Sequence, residues 1–274
     1  MWIRFLWNEK VREIVMLDKK HEFAKLRNMS ESTKISELKV ERICGPDWET
    51  HIEKPFRSQW ELYHWMRQFK EITQAFDFNG KTVFVGGCGS GVFEEWLLRS
   101  NINPKRIVSM DASSYMLNLA QTRMKKNGFT DQGEIRYEHG WVEDTGLAGG
   151  YFDVAVYIDM LQHVFNLEGA LREAKRIAKT VIIYEANALN GVRRLNEYKS
   201  GGAKPRSFYK WQFRKLLEEL GFENIKIKNT HCIPEFIPEK LLNFAKQLEP
   251  ILERIPWLKE MTGALFVLAE GKRC

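Results

Sequence analysis

Short apolar runs alternate with longer amphipathic stretches along most of the chain. The runs TVFVGG (82–87), RIVSMD (106–111), EIRYEHG (134–140), FDVAVYID (152–159), TVIIYEA (180–186), ENIKIKNT (223–230) and GALFVLAEG (263–271) predict seven strands. Between them, GVFEEWLLRS (91–100), the stretch 113–128, LEGALREAKRIAK (167–179) and FYKWQFRKLLEELG (208–221) predict helices. Ser113 is a natural N-cap and Gly128 a natural stop for the second of these. Upstream, 56–76 places Leu62, Trp65, Phe69, Ile72 and Phe76 at alternating steps of three and four, an apolar helix face suited to core packing. Trp60 and Tyr63 fall off that stripe. Strands separated by helices of this length need crossover connections, which gives an α/β fold with a mostly parallel sheet covered on both faces.

Residues 1–50 are charged and weakly periodic and read as an N-terminal helical arm, with one domain over 51–274. Two stretches interrupt the alternation, 187–207 and 231–262, and are expected as acceptor-side insertions. The second contains an amphipathic helix broken near Pro250, for which packing on the sheet, a lid over an apolar acceptor and a membrane-surface helix are the three readings. No apolar run approaches the roughly 20 residues that span a bilayer. The opening MWIRFLWNEK meets charges at once, which argues against a signal peptide. Four scattered cysteines argue by their spacing against a disulfide framework or structural zinc site and fit a reducing, cytoplasmic setting. Net charge is +6, and the segment 193–215 alone holds eight cations against Glu197.

The chemistry starts at VFVGGCGSG (83–91). A glycine-rich strand-to-helix turn lets backbone amides approach a ligand with no Cβ between. No GK[ST] follows, so it is not a P-loop, and the third glycine falls one position early for a dinucleotide fingerprint. Asp111, ending the next predicted strand, can accept hydrogen bonds from both hydroxyls of an adenosyl ribose; the alternative is a plain strand end or helix cap.

GGCGSG (86–91), MDASSYML (110–117), HGWVED (139–144), FDVAVYIDMLQHV (152–164) and SFYKWQFRKLLEELGF (207–222), in that order, resemble the class I S-adenosylmethionine-dependent methyltransferases, especially the small-molecule group that includes quinone-biosynthesis enzymes. The resemblance implies a Rossmann-like seven-stranded sheet with its last strand antiparallel, and S-adenosylmethionine across the carboxyl ends of strands one, two and four. It implies that Gly87, Cys88, Gly89 and Gly91 face the methionine and ribose and that Asp111 holds the ribose. Ala112, Trp141, Val142 and Glu143 would surround the adenine, and Tyr157 and Ile158 would lie near the sulfonium. The family's acid two positions before the first glycine is Val85 here, with Glu94 and Glu53 as candidate substitutes.

Methyl transfer from a sulfonium is an in-line displacement that depends mainly on alignment. His163, beyond the fourth strand, is the first candidate base and Asp159 the second, with His139 and Glu185 behind them; each could instead brace its loop. Arg193, Arg194 and Arg206 are candidate acceptor contacts, unless the basic segment is simply a solvated face. The expected acceptor is a small molecule, acidic or lipid-linked. RNA held by 193–215 and a non-catalytic cofactor-binding subunit are the alternatives. Peripheral membrane contact is compatible with this reading, no metal is expected, and the sequence leaves the oligomeric state open.

Overall fold

A computed structural model describes residues 56, 58–129, 134–190, 206–234 and 237–271. The chain divides into two units, 1–45 and 46–274, and every described residue belongs to the second. The expected N-terminal arm, Glu53, Arg193, Arg194 and most of 187–207 lie outside the described residues.

The described elements are α1 (Gln59–Ala75), β1 (Thr82–Gly86), α2 (Val92–Arg99), β2 (Arg106–Asp111), α3 (Ser114–Lys126), β3 (Glu134–His139), β4 (Phe152–Ile158), α4 (Leu167–Ile177), β5 (Ala178–Ala186), α5 (Lys210–Glu219), β6 (Phe222–Thr230), α6 (Glu239–Leu252), α7 (Pro256–Glu260) and β7 (Ala264–Gly271). Local chemistry sets several boundaries. Ser58, Ser113 and Asn166 cap α1, α3 and α4 by accepting the amide N–H three residues on. α4 ends two residues before its amphipathic pattern does, because Ala178 is already extended and pairs with Phe152 of β4. α5 starts two residues later than its pattern, because Phe208 donates its N–H to the carbonyl of Ala186.

The seven strands form one sheet in the order β3-β2-β1-β4-β5-β7-β6. The first five are parallel, and β7 runs antiparallel to both β5 and β6. Val83, Val85, Val156, Ile182 and Tyr184 pack with Ile72, Phe93 and Leu97 on the face covered by α1 and α2. Phe84, Phe152, Tyr157 and Val181 pack with Leu171, Phe213 and Leu217 on the face covered by α4 and α5. The central strands are buried on both sides, hence their continuous apolar sequence. The chain leaves β1 toward β2 and β3 and returns on the other side of β1 as β4. Strand order therefore reverses between β1 and β4, and a crevice opens above their carboxyl ends.

The 231–262 connection packs on α1 through α6 and on the β6 edge of the sheet through α7, where the Lys259 carbonyl accepts from Asn229 at 3.1 Å. Trp60 and Tyr63, the two aromatics off the α1 stripe, pack against Ile233, Leu242 and Ala245. Trp60 also donates its indole N–H to the Ile233 carbonyl at 3.1 Å. The clamp is Glu249 of α6, fully buried. Its carboxylate pairs with Arg67, accepts from the Tyr63 hydroxyl, and accepts the backbone N–H of Cys232 (2.8 Å) and Ile233 (3.2 Å). Among the described residues no helix is long and apolar enough to cross a membrane.

Removing one partner of a buried ion pair strands the other. Glu249→Ala is therefore expected to lower unfolding free energy by about 3 kcal/mol in urea titrations. Glu249→Gln, which keeps the hydrogen bonds in part, should cost less; equal stability of wild type and Glu249→Ala would show that the clamp contributes nothing.

Candidate active site

The turn after β1 and the end of β2 form one unit. Gly87 and Cys88 both donate their N–H to the Met110 carbonyl, at 2.8 and 3.1 Å. Gly89 donates its N–H to Asp111 Oδ2 at 2.9 Å, and Ser113 donates to Oδ1 at 2.9 Å. Burial raises the Asp111 carboxyl above its usual range, opposed by those two N–H groups. Each carboxylate oxygen keeps acceptor capacity beyond the bond it makes. Gly87 must be bare because a Cβ there would lie 2.7 Å from Met160 Cβ. Gly89, at φ +52°, would carry a Cβ that meets nothing within 4 Å, so its upper side is open.

Ala112 follows, its carbonyl accepting from His139 Nε2 at 3.0 Å. Trp141 and Val142 lie in the turn after β3. Val142 is buried, and Trp141 meets Phe165 edge-on with ring centroids 6.1 Å apart. Glu143 Oε1 accepts the Phe165 N–H at 3.0 Å and so ties this turn to the segment after β4. The Tyr157 side chain turns down into the α4–α5 face beneath Gly86, leaving its backbone at the strand end. Ile158 packs toward α1 and α2.

Asp159 and His163 both sit on the turn that follows β4. Asp159 has φ +51° and donates its N–H to the Tyr184 carbonyl at 2.8 Å. The His163 N–H bonds the Met160 carbonyl at 2.9 Å. Glu185, fully buried in β5, accepts the Leu161 N–H and braces the same turn. Arg206 is exposed, and its N–H reaches the Gln162 carbonyl at 3.4 Å.

Sequence reasoning missed a second wall of the crevice. Gln68 of α1, 1% exposed, donates to Asp159 Oδ2 at 3.2 Å and lies 3.0 Å from His64 Nε2. His231, the first residue after β6, stands with its ring 3.9 Å from that of His64, centroid to centroid. The only advance signal was the His64/Gln68 spacing of four, which puts both on one helical face. Among the described residues no cluster of His, Cys, Asp and Glu is arranged to hold a metal ion.

Residues 85–181, from the end of β1 into β5, match the methyltransferase domain family. Two ubiquinone biosynthesis O-methyltransferases are similar in sequence. That of Dinoroseobacter shibae is 24% identical over 215 residues, covering 70% of this chain and 84% of the relative. That of Cereibacter sphaeroides is 24% identical over 121 residues, covering 44% and 46%. Together these matches support a class I S-adenosylmethionine-dependent methyltransferase.

Solved structures give this methyltransferase the same fold. They include the [4+2]-cyclase SpnF (TM-score 0.58, 16% identity, 80% of this chain and 84% of that one). Another is phosphoethanolamine N-methyltransferase 2 of Haemonchus contortus, solved with phosphomonomethylethanolamine and S-adenosylhomocysteine (0.56, 18%, 76% and 53%). A third is a SAM-dependent methyltransferase of Aquifex aeolicus (0.51, 16%, 74% and 88%).

The residues of the glycine turn fit such a cofactor. Gly89 offers open space, and the Asp111 carboxylate is fixed at the strand end with lone pairs to spare. The enzyme departs from the family pattern at Val85, which is buried in the α1–α2 face with no polar function. Glu94, the candidate substitute, leaves its Oε2 without a protein partner. It is fully buried against Ser109, whose hydroxyl it accepts, two residues below the end of β2. Burial pushes its carboxyl up to about 7.

Two tests follow from this geometry. Gly80 and Gly89 both hold positive φ, and a Cβ at either would meet no atom within 4 Å, so alanine at either should cost about 1–2 kcal/mol of backbone strain. Only Gly89→Ala should weaken S-adenosylmethionine binding in calorimetric titration; equal affinities for both variants would remove the turn from the cofactor site. The second concerns Glu94. An acid whose folded pKa lies above its unfolded value contributes stability that is full below 4.5, falls as pH rises toward about 7 and is lost above it. Urea midpoints between pH 4.5 and 8 should therefore fall more steeply for wild type than for Glu94→Gln, and parallel profiles would contradict a neutral Glu94.

Proposed function

We propose that this methyltransferase methylates a hydroxyl oxygen of a small-molecule acceptor by in-line displacement. The observation that carries the cofactor half is the Asp111 carboxylate, pinned by Gly89 and Ser113 beside the open face of the turn. Asp111 holds the two ribose hydroxyls. Gly87, Cys88, Gly89 and Gly91 line the path of the methionine and ribose, and Ala112, Trp141, Val142 and Glu143 surround the adenine. The backbone at Tyr157 and Ile158 lies by the sulfonium. The two ubiquinone biosynthesis O-methyltransferases support oxygen as the atom methylated.

S-adenosylmethionine supplies a methyl group on a positively charged sulfur, which leaves as a neutral thioether when an oxygen displaces it in line. The chain's task is alignment, water exclusion and removal of the hydroxyl proton. Asp159 and His163, on the one turn that follows β4, are the proton acceptors in this reading, and Arg206 is a contact at the rim.

The test combines binding and turnover. Asp111→Ala should weaken S-adenosylmethionine binding by about 100-fold, the worth of two hydrogen bonds to a charged acceptor. Labelled methyl from the wild type should enter the small-molecule fraction of an extract, not the RNA fraction. Asp159→Asn keeps a residue type that tolerates positive φ, and it or His163→Ala should lower turnover by about 100-fold at unchanged cofactor affinity. Unchanged binding in Asp111→Ala sinks the cofactor assignment, label in RNA sinks the acceptor class, and full turnover in both base variants sinks their role.

A further inference from the structure

α6 carries two apolar faces. Leu242 and Ala245, with Glu249, are buried against α1 and the chain after β6. Leu241, Phe244, Leu248 and Ile251, at steps of three, four and three, form a second stripe on the solvent side. Phe244 is 62% exposed, Leu241 and Ile251 are exposed, and Leu248 is half-buried. α7, the next element, adds Trp257, at 68% the most exposed large apolar side chain among the described residues, and Met261 follows it, also exposed. Exposed aliphatic and aromatic groups in such a series mark an interaction surface.

Cations border the stripe. Lys240 and Gln247 run beside it at a spacing of seven, and Arg254 follows in the turn after the helix. Neither Lys240 nor Arg254 pairs with a carboxylate among the described residues. The acids of this segment are engaged elsewhere. Glu249 and Glu253 pair with Arg67, Glu260 pairs with Lys210, and Glu239 lies 3.5 Å from the Gln59 amide at the start of α1. Lys246 turns inward, its Nζ 4.8 Å from the centroid of the Tyr63 ring.

This charge pattern selects the occupant. Two copies paired antiparallel through the stripe would set the row of Lys240, Gln247 and Arg254 against itself, with no acid on the border to meet it. A layer of anionic headgroups neutralises the same row while the stripe enters the acyl boundary, and long cationic side chains reach from that boundary back to the headgroups. Trp257, with an apolar ring and one N–H, suits the same depth. The location fits as well. Thr230 of β6 and Ala186 of β5 both stand opposite Ala264 of β7, so the 231–262 connection leaves and re-enters the sheet at its carboxyl edge, where the crevice opens.

We propose that α6 and α7 form a docking face for the surface of an anionic lipid bilayer, with Leu241, Phe244, Ile251 and Trp257 at the acyl boundary and Lys240 and Arg254 among the headgroups. The chain lies on such a membrane and does not cross it. The proposal concerns where the enzyme works and is independent of the O-methylation reading.

The test sediments the full chain with vesicles of phosphatidylcholine, alone or mixed with phosphatidylglycerol. Wild type should bind the mixed vesicles about tenfold or more tightly than the neutral ones, and added salt should erase the difference by screening the headgroups. Phe244→Ser and Trp257→Ser should each weaken binding to mixed vesicles about tenfold or more, the effect of withdrawing one aromatic side chain. Lys240→Gln combined with Arg254→Gln should weaken it by about tenfold or more and leave binding to neutral vesicles unchanged. Brominated lipid in the mixed vesicles should quench tryptophan fluorescence less in Trp257→Phe than in wild type. S-adenosylmethionine affinity should stay at the wild-type value throughout. Should a serine variant lose it, and so report a folding defect, the glutamine pair, which alters exposed charges alone, decides. No binding to mixed vesicles overturns the proposal, as does equal binding to both kinds or wild-type binding by all the variants. A dimer in sedimentation equilibrium that Phe244→Ser dissolves, without vesicle binding, assigns the face to a second copy and overturns it too.

Discussion

The carboxylate of Asp111 fixes the geometry on which the reactive edge of the sheet depends. It ends β2 and accepts the amide of Gly89, which lies in the turn after the neighbouring strand. β1 and β2 are in parallel register up to Gly86 and Met110, so this bond closes the turn just where the ladder stops. The Met110 carbonyl takes two further amides of the same turn. A chain of bare glycines would otherwise be the most mobile part of the fold, since glycine loses the most conformational freedom on ordering. Tied in this way, it becomes a fixed floor with one open face. The Ser113 N–H on the second carboxylate oxygen opposes the cost of burying that oxygen and starts α3 in the right place.

The opposite wall is built on different principles. Its residues come from α1, the turn after β4 and the end of β6, and a buried carboxylate holds them together. Glu249 joins α6 to α1 through Arg67 and Tyr63 and to the chain after β6 through two backbone amides. Glu71 and Glu253 complete the surround of Arg67. Glu71 also accepts from Thr230 at the end of β6 and from Lys228, so the same charges that balance Arg67 fasten α1 to the edge of the sheet. Charge is thus concentrated one helical turn away from His64, and burial, with Arg67 adding to it, pushes both imidazoles toward the neutral form.

The two walls differ in how far sequence reveals them. The glycine turn and Asp111 lie within one strand–helix–strand unit, where spacing translates directly into proximity, and the seven strands were legible from their short apolar runs. Boundaries slipped where tertiary contact outweighed local pattern, as at Ala178 and Phe208. The second wall was not legible. Trp60 and Tyr63 looked out of place on α1 because the helix has two buried faces, and the partner of the second lies some 170 residues downstream. Gln68, a polar residue at a buried position, makes sense only once Asp159 and His64 are beside it. Glu249 and Glu253 carry no signal in the sequence pattern, and their role emerges only once Arg67 is found between them. Glu94 shows a further limit: only packing reveals that a carboxylate three residues past the glycines is fully buried with one oxygen on Ser109.

The division of labour between the walls bears on what the fold can and cannot say about chemistry. A cyclase and a phosphoethanolamine N-methyltransferase align with this chain about equally well, at TM-scores of 0.58 and 0.56. Backbone similarity of that order therefore carries the sheet and its crevice but not the reaction. The glycine turn and the strand-end acid belong to the part such proteins can share, because their geometry follows from β1 and β2 alone. The wall formed by α1, the turn after β4 and the chain after β6 depends on side chains that no strand order dictates: a glutamine bridging an aspartate to a histidine, a second histidine in left-handed backbone, a tryptophan stacked over the first. Changing those residues would leave the sheet order and the turn intact. The long-range half of the crevice is thus the part that strand order leaves free to vary, and the short-range half follows from β1 and β2.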